Sequence, residues 1–198
     1  MQFILATHNL HKIREFRDMF RGSNQIDLVS LSAFSSYELP EETGSTFEEN
    51  AKLKAEHAAA HLQCWVIAED SGLVVPVLQG RPGVYSKRYS GENGNDVKNR
   101  QKLLDELSGK KGLERSAYFE CVIAVANPKG VQKVSRGTVE GMISEKEKGR
   151  NGFGYDSLFI KNDYEKTFAE LDEPTKNKIS HRRKAYDRLI HFLEGVQG

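Results

Sequence analysis

Residues 65–72 constrain the fold of this chain more than any other segment. Four mostly apolar residues, Trp-Val-Ile-Ala, run directly into Glu69-Asp70-Ser71-Gly72. A short apolar run that ends in turn-forming residues is typical of a buried strand, and open α/β sheets usually bind ligands beyond the carboxyl ends of such strands. We therefore predict a strand over 65–68 followed by a turn over 69–72. Adjacent carboxylates there suit a hard cation such as Mg²⁺, whereas the tetrapeptide alone is equally compatible with a solvated turn.

The composition is that of an ordinary globular protein. Of 198 residues, 38% are hydrophobic and 29% are charged, and the net charge is +1, which argues against the basic face of a nucleic-acid or membrane binder. Cys64 and Cys121 are interpreted as buried thiols, because they lie in apolar, strand-like segments. The N-terminus does not resemble a signal peptide, and no apolar run approaches the roughly 20 residues needed to span a bilayer. We therefore predict one cytoplasmic domain, residues 1–198, without nucleic-acid or membrane partners.

Alternating helix and strand patterns predict a mixed α/β fold. The predicted strands are 3–6, 26–31, 65–68, 73–78, 116–126, 131–143 and 157–160. Helical periodicity covers 10–20, 46–62, 97–107 and a last helix that begins at Ser180, and Thr46 with Glu49 forms a capping box. The two long strands flank Asn127-Pro128-Lys129-Gly130 and form a hairpin. One antiparallel pair among these alternations indicates a mixed sheet with flanking helices.

Two segments near the N-terminus carry side chains suited to phosphate. Thr7, Asn9 and Lys12 lie at a predicted strand-to-helix junction, where free backbone N–H groups attract anions. A plain helix cap with a surface lysine is the alternative, and no Walker A sequence occurs in the chain. Lys52 and Lys54 lie two residues apart on the next predicted helix and so point in different directions. Lys54 is the one assigned to phosphate, although a solvated lysine is the commoner case.

Two later segments suit a flat, polar ligand. In Gly149–Asp156, glycines allow close approach of a backbone, either Phe153 or Tyr155 can stack on a base, and Asp156 can accept from a ring N–H. At the start of the last helix, His181 and Arg182 follow Lys176 and supply donors for anions or carbonyl oxygens. A structural loop and a surface basic patch are the respective alternatives. His57 and His61 lack an identifiable third metal ligand.

Taken in order, these segments resemble the non-canonical purine NTP pyrophosphatases, the ITP/XTP pyrophosphatase family. The resemblance covers essentially the full chain, and its specificity comes from the order of many individually weak motifs. The matching residues are Ala6-Thr7-His8-Asn9 with Lys12, Glu42-Thr43-Gly44-Ser45-Thr46-Phe47 with Glu49-Asn50-Ala51 and Lys54-Ala55, 68–73, Gly80-Arg81-Pro82-Gly83-Val84-Tyr85-Ser86 with Arg88-Tyr89, Gly152-Phe153-Gly154-Tyr155-Asp156, Ala169-Glu170-Leu171, and Lys176-Asn177 with Ser180-His181-Arg182.

The resemblance implies an elongated mixed sheet that forms two lobes around a central nucleotide-binding cleft, in a homodimer. It implies Mg²⁺-dependent cleavage of ITP, dITP or XTP at the α–β bond to the monophosphate and pyrophosphate. Asp70 would be the catalytic residue, and Glu41, Glu69 and Asp70 would hold the metal. The implied substrate-binding residues are Thr7, His8, Asn9, Lys12, Lys54, Ser71, Phe153, Gly154, Tyr155, Asp156, Lys176, His181 and Arg182.

Three residues depart from the family pattern. His8 stands where many members have glycine, Lys87 where a small residue is usual, and Ser157 where proline is usual. Only the first touches the implied phosphate loop. Three other functions remain as alternatives: a related pyrophosphatase for modified pyrimidine or methylated nucleotides, a nucleotide-binding regulator without catalysis, and an RNA-binding module.

Overall fold

Six strands and six α-helices make up the fold in the computed structural model, which describes residues 1–23, 25–34, 36–91 and 94–196. The strands are β1 (Gln2–Leu5), β2 (Asp27–Ser30), β3 (Val66–Val74), β4 (Ser116–Asn127), β5 (Gly130–Ile143) and β6 (Phe159–Lys161). The helices are α1 (Leu10–Phe20), α2 (Phe47–Leu62), α3 (Asp96–Glu106), α4 (Glu173–Ile179), α5 (His181–Asp187) and α6 (Ile190–Gly195).

All six strands belong to one mixed sheet, in the order β2-β1-β3-β4-β5-β6. β1 pairs in parallel with both β2 and β3, whereas β5 and β6 are antiparallel. Pro128 and Lys129 alone separate the neighbouring strands β4 and β5, and so short a link cannot make a parallel crossover. The predicted mixed sheet with flanking helices and the predicted hairpin are confirmed.

The first two helices begin where their capping residues predict. Asn9 Oδ1 accepts hydrogen bonds from the backbone N–H groups of His11 and Lys12, which starts α1. Thr46 and Glu49 form the predicted reciprocal capping box at the start of α2. That helix ends as Gln63 adopts the left-handed conformation at φ 53°.

The predicted turn over 69–72 is wrong. β3 continues through this segment to Val74, with Glu69 and Asp70 both buried inside the strand. Oppositely charged side chains from distant parts of the sequence stabilise the two carboxylates there, so tertiary contacts override the local turn preference. Of the predicted strand over 73–78, only the first two residues are in a strand, as the end of β3. Pro76 begins a 3₁₀ turn that extends to Leu78.

The predicted last helix is interrupted. Its start agrees with the prediction, since α5 begins directly after the extended residue Ser180, but a break at Arg188 and Leu189 separates α5 from α6. Ala185, Leu189 and Leu193 are nevertheless buried, as the periodicity predicts. Side-chain burial along this segment therefore survives breaks in the backbone hydrogen bonding.

The chain divides into two compact units. The first comprises Met1–Asp70, Cys121–Gly137 and Arg182–Gly198, and the second comprises Ser71–Glu120 and Thr138–His181. The core of the first unit includes Phe3, Phe16 and Ile67, and that of the second includes Leu73, Phe119 and Phe159.

Neither cysteine forms a disulfide. Cys121 is buried as predicted, whereas Cys64 is only half-buried. Among the residues described, no helix combines the length and apolarity needed to cross a membrane.

Candidate functional site

Buried and half-buried groups of opposite charge converge in the first unit. They form what we call the charged cluster, which consists of Lys12, Glu15, Glu42, Lys54, Glu69, Asp70 and Arg182. Glu69 is 1% exposed, and its carboxylate contacts Lys12 Nζ and lies 3.5 Å from Arg182 Nη2. Burial alone would raise the pKa of Glu69, but Lys12 and Arg182 hold it well below its usual range. Glu69 is therefore a permanent anion.

Arg182 connects two carboxylates within the charged cluster. Its guanidinium contacts Glu15 Oε2 as well as Glu69, and the residue is 1% exposed. The resemblance implies that Arg182 binds substrate, but the described contacts hold its side chain between Glu15 and Glu69. Glu15, which the sequence analysis missed, completes this buried chain of charges. The periodicity gave no signal for it, because Glu15 directly precedes Phe16 and lies about 100° around the helix from it.

The pKa of Asp70 is shifted in the opposite direction to that of Glu69. Its Oδ2 accepts a hydrogen bond from Asn50 Nδ2 at 3.0 Å, and Lys54 Nζ lies 3.8 Å from Oδ1. Burial raises the pKa of Asp70 to about 6, which outweighs the lowering by Lys54 and Lys12. Successive side chains of a strand point to opposite faces of the sheet, and this alternation explains why adjacent carboxylates have different partners.

Lys54 links the loop of residues 40–45, which we call the acidic loop, to β3. Its Nζ donates to the backbone oxygen of Glu69 at 2.8 Å and contacts the Glu42 carboxylate. Burial would raise the pKa of Glu42, but Lys54 lowers it below the usual value. Glu41, the loop residue predicted to hold metal, has an exposed side chain. The structure thus brings Glu42, for which no role was predicted, into the charged cluster.

Asn50 and Gly44 fix the geometry beside Asp70. Asn50 lies one helical turn before Lys54, on the same face of α2, and its Oδ1 accepts from the backbone N–H of Gly44 at 2.8 Å. A Cβ added at Gly44 would lie 2.6 Å from that oxygen, so a side chain there would displace Asn50. Asn50 thereby bridges the acidic loop and Asp70.

The junction of β1 and α1 is a closely hydrogen-bonded turn. Thr7 Oγ1 accepts from the backbone N–H of Asn9 at 3.2 Å, and Asn9 in turn caps α1. His8 has an exposed side chain. Lys12, on the first turn of α1, extends from this junction to Glu69. Of the phosphate residues predicted here, Lys12 is the one that belongs to the charged cluster.

The second unit contains the other group of predicted residues, in a segment that we call the base loop (Gly152–Asp156). Its Asp156 carboxylate accepts from the backbone N–H of Phe153 at 3.0 Å and lies 2.9 Å from Lys176 Nζ. A Cβ at Gly152, where φ is 75°, would lie 2.1 Å from Asp156 Oδ2. The Asp156 carboxylate therefore shapes the loop, and only glycine fits beside it.

Phe153 and Tyr155 have different environments in the base loop. Tyr155 is 3% exposed, and its hydroxyl donates to Ser86 O at 2.9 Å, so its ring is part of the core. Phe153 is half-buried, with Lys176 Nζ 4.9 Å from its ring centroid. Of the two predicted stacking residues, Phe153 is the one positioned at the surface of the unit.

The remaining predicted residues of the second unit are His181 and Ser71. The His181 ring stacks on Phe119, with centroids 4.8 Å apart and an interplanar angle of 11°. Ser71 is half-buried on β3, directly after Asp70. Gly154 is held through its backbone, as its N–H donates to Asp96 Oδ2 at 2.7 Å.

The donor set at Asp70 fits a magnesium ion better than that at Glu69. Asp70 is a buried carboxylate whose ionisation the surrounding protein opposes, so an added cation would stabilise its charged form. Glu69 already contacts two cationic side chains. Within the described residues, no three His, Cys, Asp or Glu side chains are arranged to hold a metal. The fit therefore rests on Asp70.

Comparison with known proteins assigns the chain to a family. The model of the Ham1 family matches residues 3–192. The chain belongs to the Ham1 family. It is 55% identical to the dITP/XTP pyrophosphatase of Protochlamydia amoebophila over 198 residues, 100% of both chains. The dITP/XTP pyrophosphatase of Chlamydia abortus is 47% identical over 197 residues, which are 99% of this chain and 96% of that protein.

A solved structure supports the same assignment. The Staphylococcus aureus Ham1 protein superposes with a TM-score of 0.87 at 44% identity, covering 98% of this chain and 99% of that one. The Ham1 fold is therefore shared over almost the whole length. The family resemblance identified from the sequence is confirmed.

Proposed function

We propose that this Ham1-family protein hydrolyses non-canonical purine nucleoside triphosphates, namely dITP, ITP and XTP, to the monophosphate and pyrophosphate. The observation that carries the proposal is the buried Asp70 carboxylate, whose pKa is raised to about 6, beside Lys54. Two highly similar relatives bear the name dITP/XTP pyrophosphatase. Removal of such nucleotides from the cellular pool is the physiological role that follows.

Asp70 is the general base of the proposed reaction. Without a bound cation, the pKa of about 6 suits a base that is ionised at pH 7 and still accepts a proton; a bound Mg²⁺ would lower this pKa. Asp70 orients a water molecule and takes its proton. The water oxygen forms a bond to the α-phosphorus as the α–β anhydride bond breaks. Pyrophosphate then leaves with the electron pair of that bond. Asn50 holds Asp70 in place through the hydrogen bond to Oδ2.

The charges of the triphosphate are bound by cations and donors of the first unit. Lys12 and Lys54 supply ammonium groups, and exchange their carboxylate partners for phosphate oxygens. Thr7 and Asn9 beside the start of α1 and exposed His8 are the other proposed contacts of the first unit, and Ser71 of the second unit is a further one. Phosphoryl transfer depends mainly on charge neutralisation and positioning, which accounts for a cluster rich in fixed charges.

Mg²⁺ is part of the proposal. Asp70 would hold the ion, together with Glu41 and Glu69 as the family resemblance implies. When bound, the ion would supply charge neutralisation at the phosphate oxygens. Asp70 is the ligand whose environment supports this assignment, because a cation relieves the cost of its buried charge. Titration of the protein with MgCl₂, followed by the thermal midpoint of wild type and Asp70→Asn, tests this binding directly.

Base selectivity is assigned to the second unit. Hypoxanthine and xanthine carry an acceptor at position 6, whereas adenine carries a donor. Lys176 and His181 supply donors, and Phe153 supplies a ring for stacking. ATP would leave such a donor unpaired, at a cost of roughly 1–3 kcal/mol, or about 10- to 100-fold. GTP shares the 6-keto group, so its rejection depends on the 2-amino group.

The contacts of Arg182 favour a supporting role over base recognition. Its guanidinium engages Glu15 and Glu69. Removing it would therefore affect all triphosphates alike.

We also propose a cytoplasmic homodimer without nucleic-acid or membrane partners. Light scattering of the purified protein tests whether it is a dimer. Retention on RNA at physiological salt tests whether it binds nucleic acid.

The activity test is release of pyrophosphate with Mg²⁺ from ITP, XTP, ATP, GTP and UTP, with Asp70→Asn as the inactive control. Fast release from ITP and XTP alone supports the proposal. Orthophosphate as the product would place cleavage at another bond and contradict it. Tight ITP binding without hydrolysis would favour a regulator, and preference for pyrimidine or methylated nucleotides would favour a related pyrophosphatase.

A further inference from the structure

We propose that Asp96 and Arg100 of α3 are positioning residues for base selectivity, because together they hold the base loop at Gly154. We call this pair the α3 clamp. The proposal rests on the proposed function, since selectivity has meaning only if the base loop meets a nucleotide base. Neither residue belongs to the substrate-binding set implied by the sequence.

The clamp forms hydrogen bonds with both the backbone N–H and the backbone oxygen of Gly154. Asp96 Oδ2 accepts from the backbone N–H of Gly154 at 2.7 Å, and Arg100 Nη1 donates to the backbone oxygen of Gly154 at 2.9 Å. Residues four apart on a helix share one face, so a single turn of α3 presents both side chains. Hydrogen bonds to charged groups are roughly twice as strong as neutral ones.

Gly154 is a flexible point of the loop, and external hydrogen bonds order it. Its φ is 59°, in the left-handed region, and a Cβ there would meet nothing within 4 Å. Glycine loses more backbone entropy on ordering than any other residue. Asp156 shapes the loop from within, whereas the clamp fixes the loop to a helix of the same unit.

Two further side chains hold Arg100 in place. Its Nε donates to Glu147 Oε2 at 2.8 Å, and Ser157 Oγ donates to the same oxygen at 3.0 Å. Proline, which the family resemblance leads us to expect at position 157, has no hydroxyl and could not make this contact. The support of Arg100 through Glu147 and Ser157 is therefore a feature of this chain's own sequence.

The clamp acts on selectivity through Phe153, the neighbour of Gly154. Stacking on Phe153 tolerates any base. The distinction between bases comes from Lys176, a proposed donor to position 6, whose Nζ lies 4.9 Å from the centroid of the Phe153 ring. Small displacements of a positioned group can cost large factors in rate or affinity. Loosening Gly154 should weaken recognition of the base and leave the triphosphate contacts of the first unit unchanged.

The experiment compares wild type with Asp96→Ala, Asp96→Asn, Arg100→Met and the control Asn95→Ala. For Asp96→Ala and Arg100→Met, we expect KM for ITP to rise about 10-fold and the ITP-to-ATP ratio of kcat/KM to fall about 10-fold. Inhibition by inorganic pyrophosphate, which has no base, should be unchanged. Asp96→Asn keeps an oxygen acceptor for Gly154 and should retain most of the selectivity.

Asn95→Ala separates positioning from simple loss of helix stability. Asn95 caps α3 by accepting from the backbone N–H of Lys98 at 3.1 Å, and it is outside the clamp. This variant should lower the thermal midpoint and leave the ITP-to-ATP ratio unchanged. If it lowers the ratio as much as Asp96→Ala does, the clamp has no specific role.

Binding of inosine 5′-monophosphate, measured by calorimetry, tests the clamp without turnover. It should weaken about 10-fold in Asp96→Ala. A wild type that hydrolyses ITP selectively, with Asp96→Ala unchanged in ratio and binding, would overturn the clamp alone. A wild type that neither hydrolyses ITP nor binds the monophosphate would overturn the proposed function and the clamp together.

Discussion

The charged cluster and the base loop are built on different physical principles. In the first unit, buried carboxylates and cations hold one another: burial raises the pKa of Asp70, whereas Lys12 and Arg182 lower that of Glu69. In the second unit, backbone hydrogen bonds, the ion pair of Asp156 with Lys176 and the α3 clamp hold the shape of a glycine-rich loop. Electrostatic clusters suit chemistry on phosphates, whereas a shaped loop suits discrimination between flat bases.

This difference leads to a clear experimental expectation. Substitutions in the charged cluster should change turnover of all nucleotides or the stability of the fold. Substitutions in the base loop should change the ratio between nucleotides. The following four predictions challenge or refine this division, from the largest expected effect to the smallest.

Asp70→Asn should lower kcat by about 10²- to 10⁴-fold, because the amide cannot accept the proton of the attacking water. The loss should be equal for ITP and XTP, and binding of either nucleotide should persist. Steady-state pyrophosphate release and calorimetric binding measure the two effects. The control is Glu38→Gln, at an exposed position outside the proposed site, and near-wild-type hydrolysis by Asp70→Asn would contradict the base assignment.

Arg182→Met should destabilise the fold by about 3–5 kcal/mol, because it leaves Glu15 and Glu69 buried without their shared cation. Urea unfolding measures the change. The double variant with Glu15→Gln should recover part of the loss, since one uncompensated charge is removed. A stable Arg182→Met protein with an altered ITP-to-ATP ratio would return Arg182 to base recognition.

Phe153→Ala should raise KM for ITP about 10-fold, because base–aromatic stacking contributes roughly 1–3 kcal/mol. The matched control is Tyr155→Phe, which removes the hydroxyl bonded to Ser86 O and should cost about 1 kcal/mol of stability with little change in KM. Initial rates with ITP and thermal unfolding distinguish the two. An increase in KM for Tyr155→Phe, with Phe153→Ala unchanged, would assign nucleotide binding to the Tyr155 hydroxyl and contradict stacking on Phe153.

Stability in the absence of divalent cations should fall as pH rises through about 6. The pKa of Asp70 is about 6 in the folded protein, against 3.8 for an ordinary Asp side chain. The folded state therefore binds the proton of this carboxyl more tightly than the unfolded state does. The contribution is fully present below pH 3.8 and lost above pH 6. Asp70→Asn should therefore have a thermal midpoint a few degrees higher at pH 8 and little advantage at pH 4. Calorimetric scans at both pH values check this, and an equal shift at both would contradict it.

Local sequence signals predicted the helices and strands well wherever capping and periodicity agree. The Thr46–Glu49 capping box located the start of α2, and its predicted end near Leu62 is also confirmed. The same rules failed at Glu69–Gly72, where polar residues that favour a turn lie inside β3. Local preference could not anticipate the distant cations that make a buried strand possible there.

The candidate site was predictable as a set of residues and less so in its contacts. Lys12, Lys54, Glu69 and Asp70 are indeed adjacent in the first unit. Glu15, Glu42 and Asn50 were not assigned roles, because an isolated acid or amide on a helix or loop carries no local signal of its partner. The metal role of Glu41 and the substrate role of His8 stay predictions.

By itself, the sequence determined the mixed α/β class, the family resemblance and the residues from which a nucleotide site could be built. Those properties depend on periodicity, capping and motif order, which are local or additive along the chain. The tertiary structure alone decided which carboxylate is a permanent anion and which is poised near pH 6. That decision depends on burial and on Lys12, Lys54 and Arg182, since electrostatic energies follow distance in space.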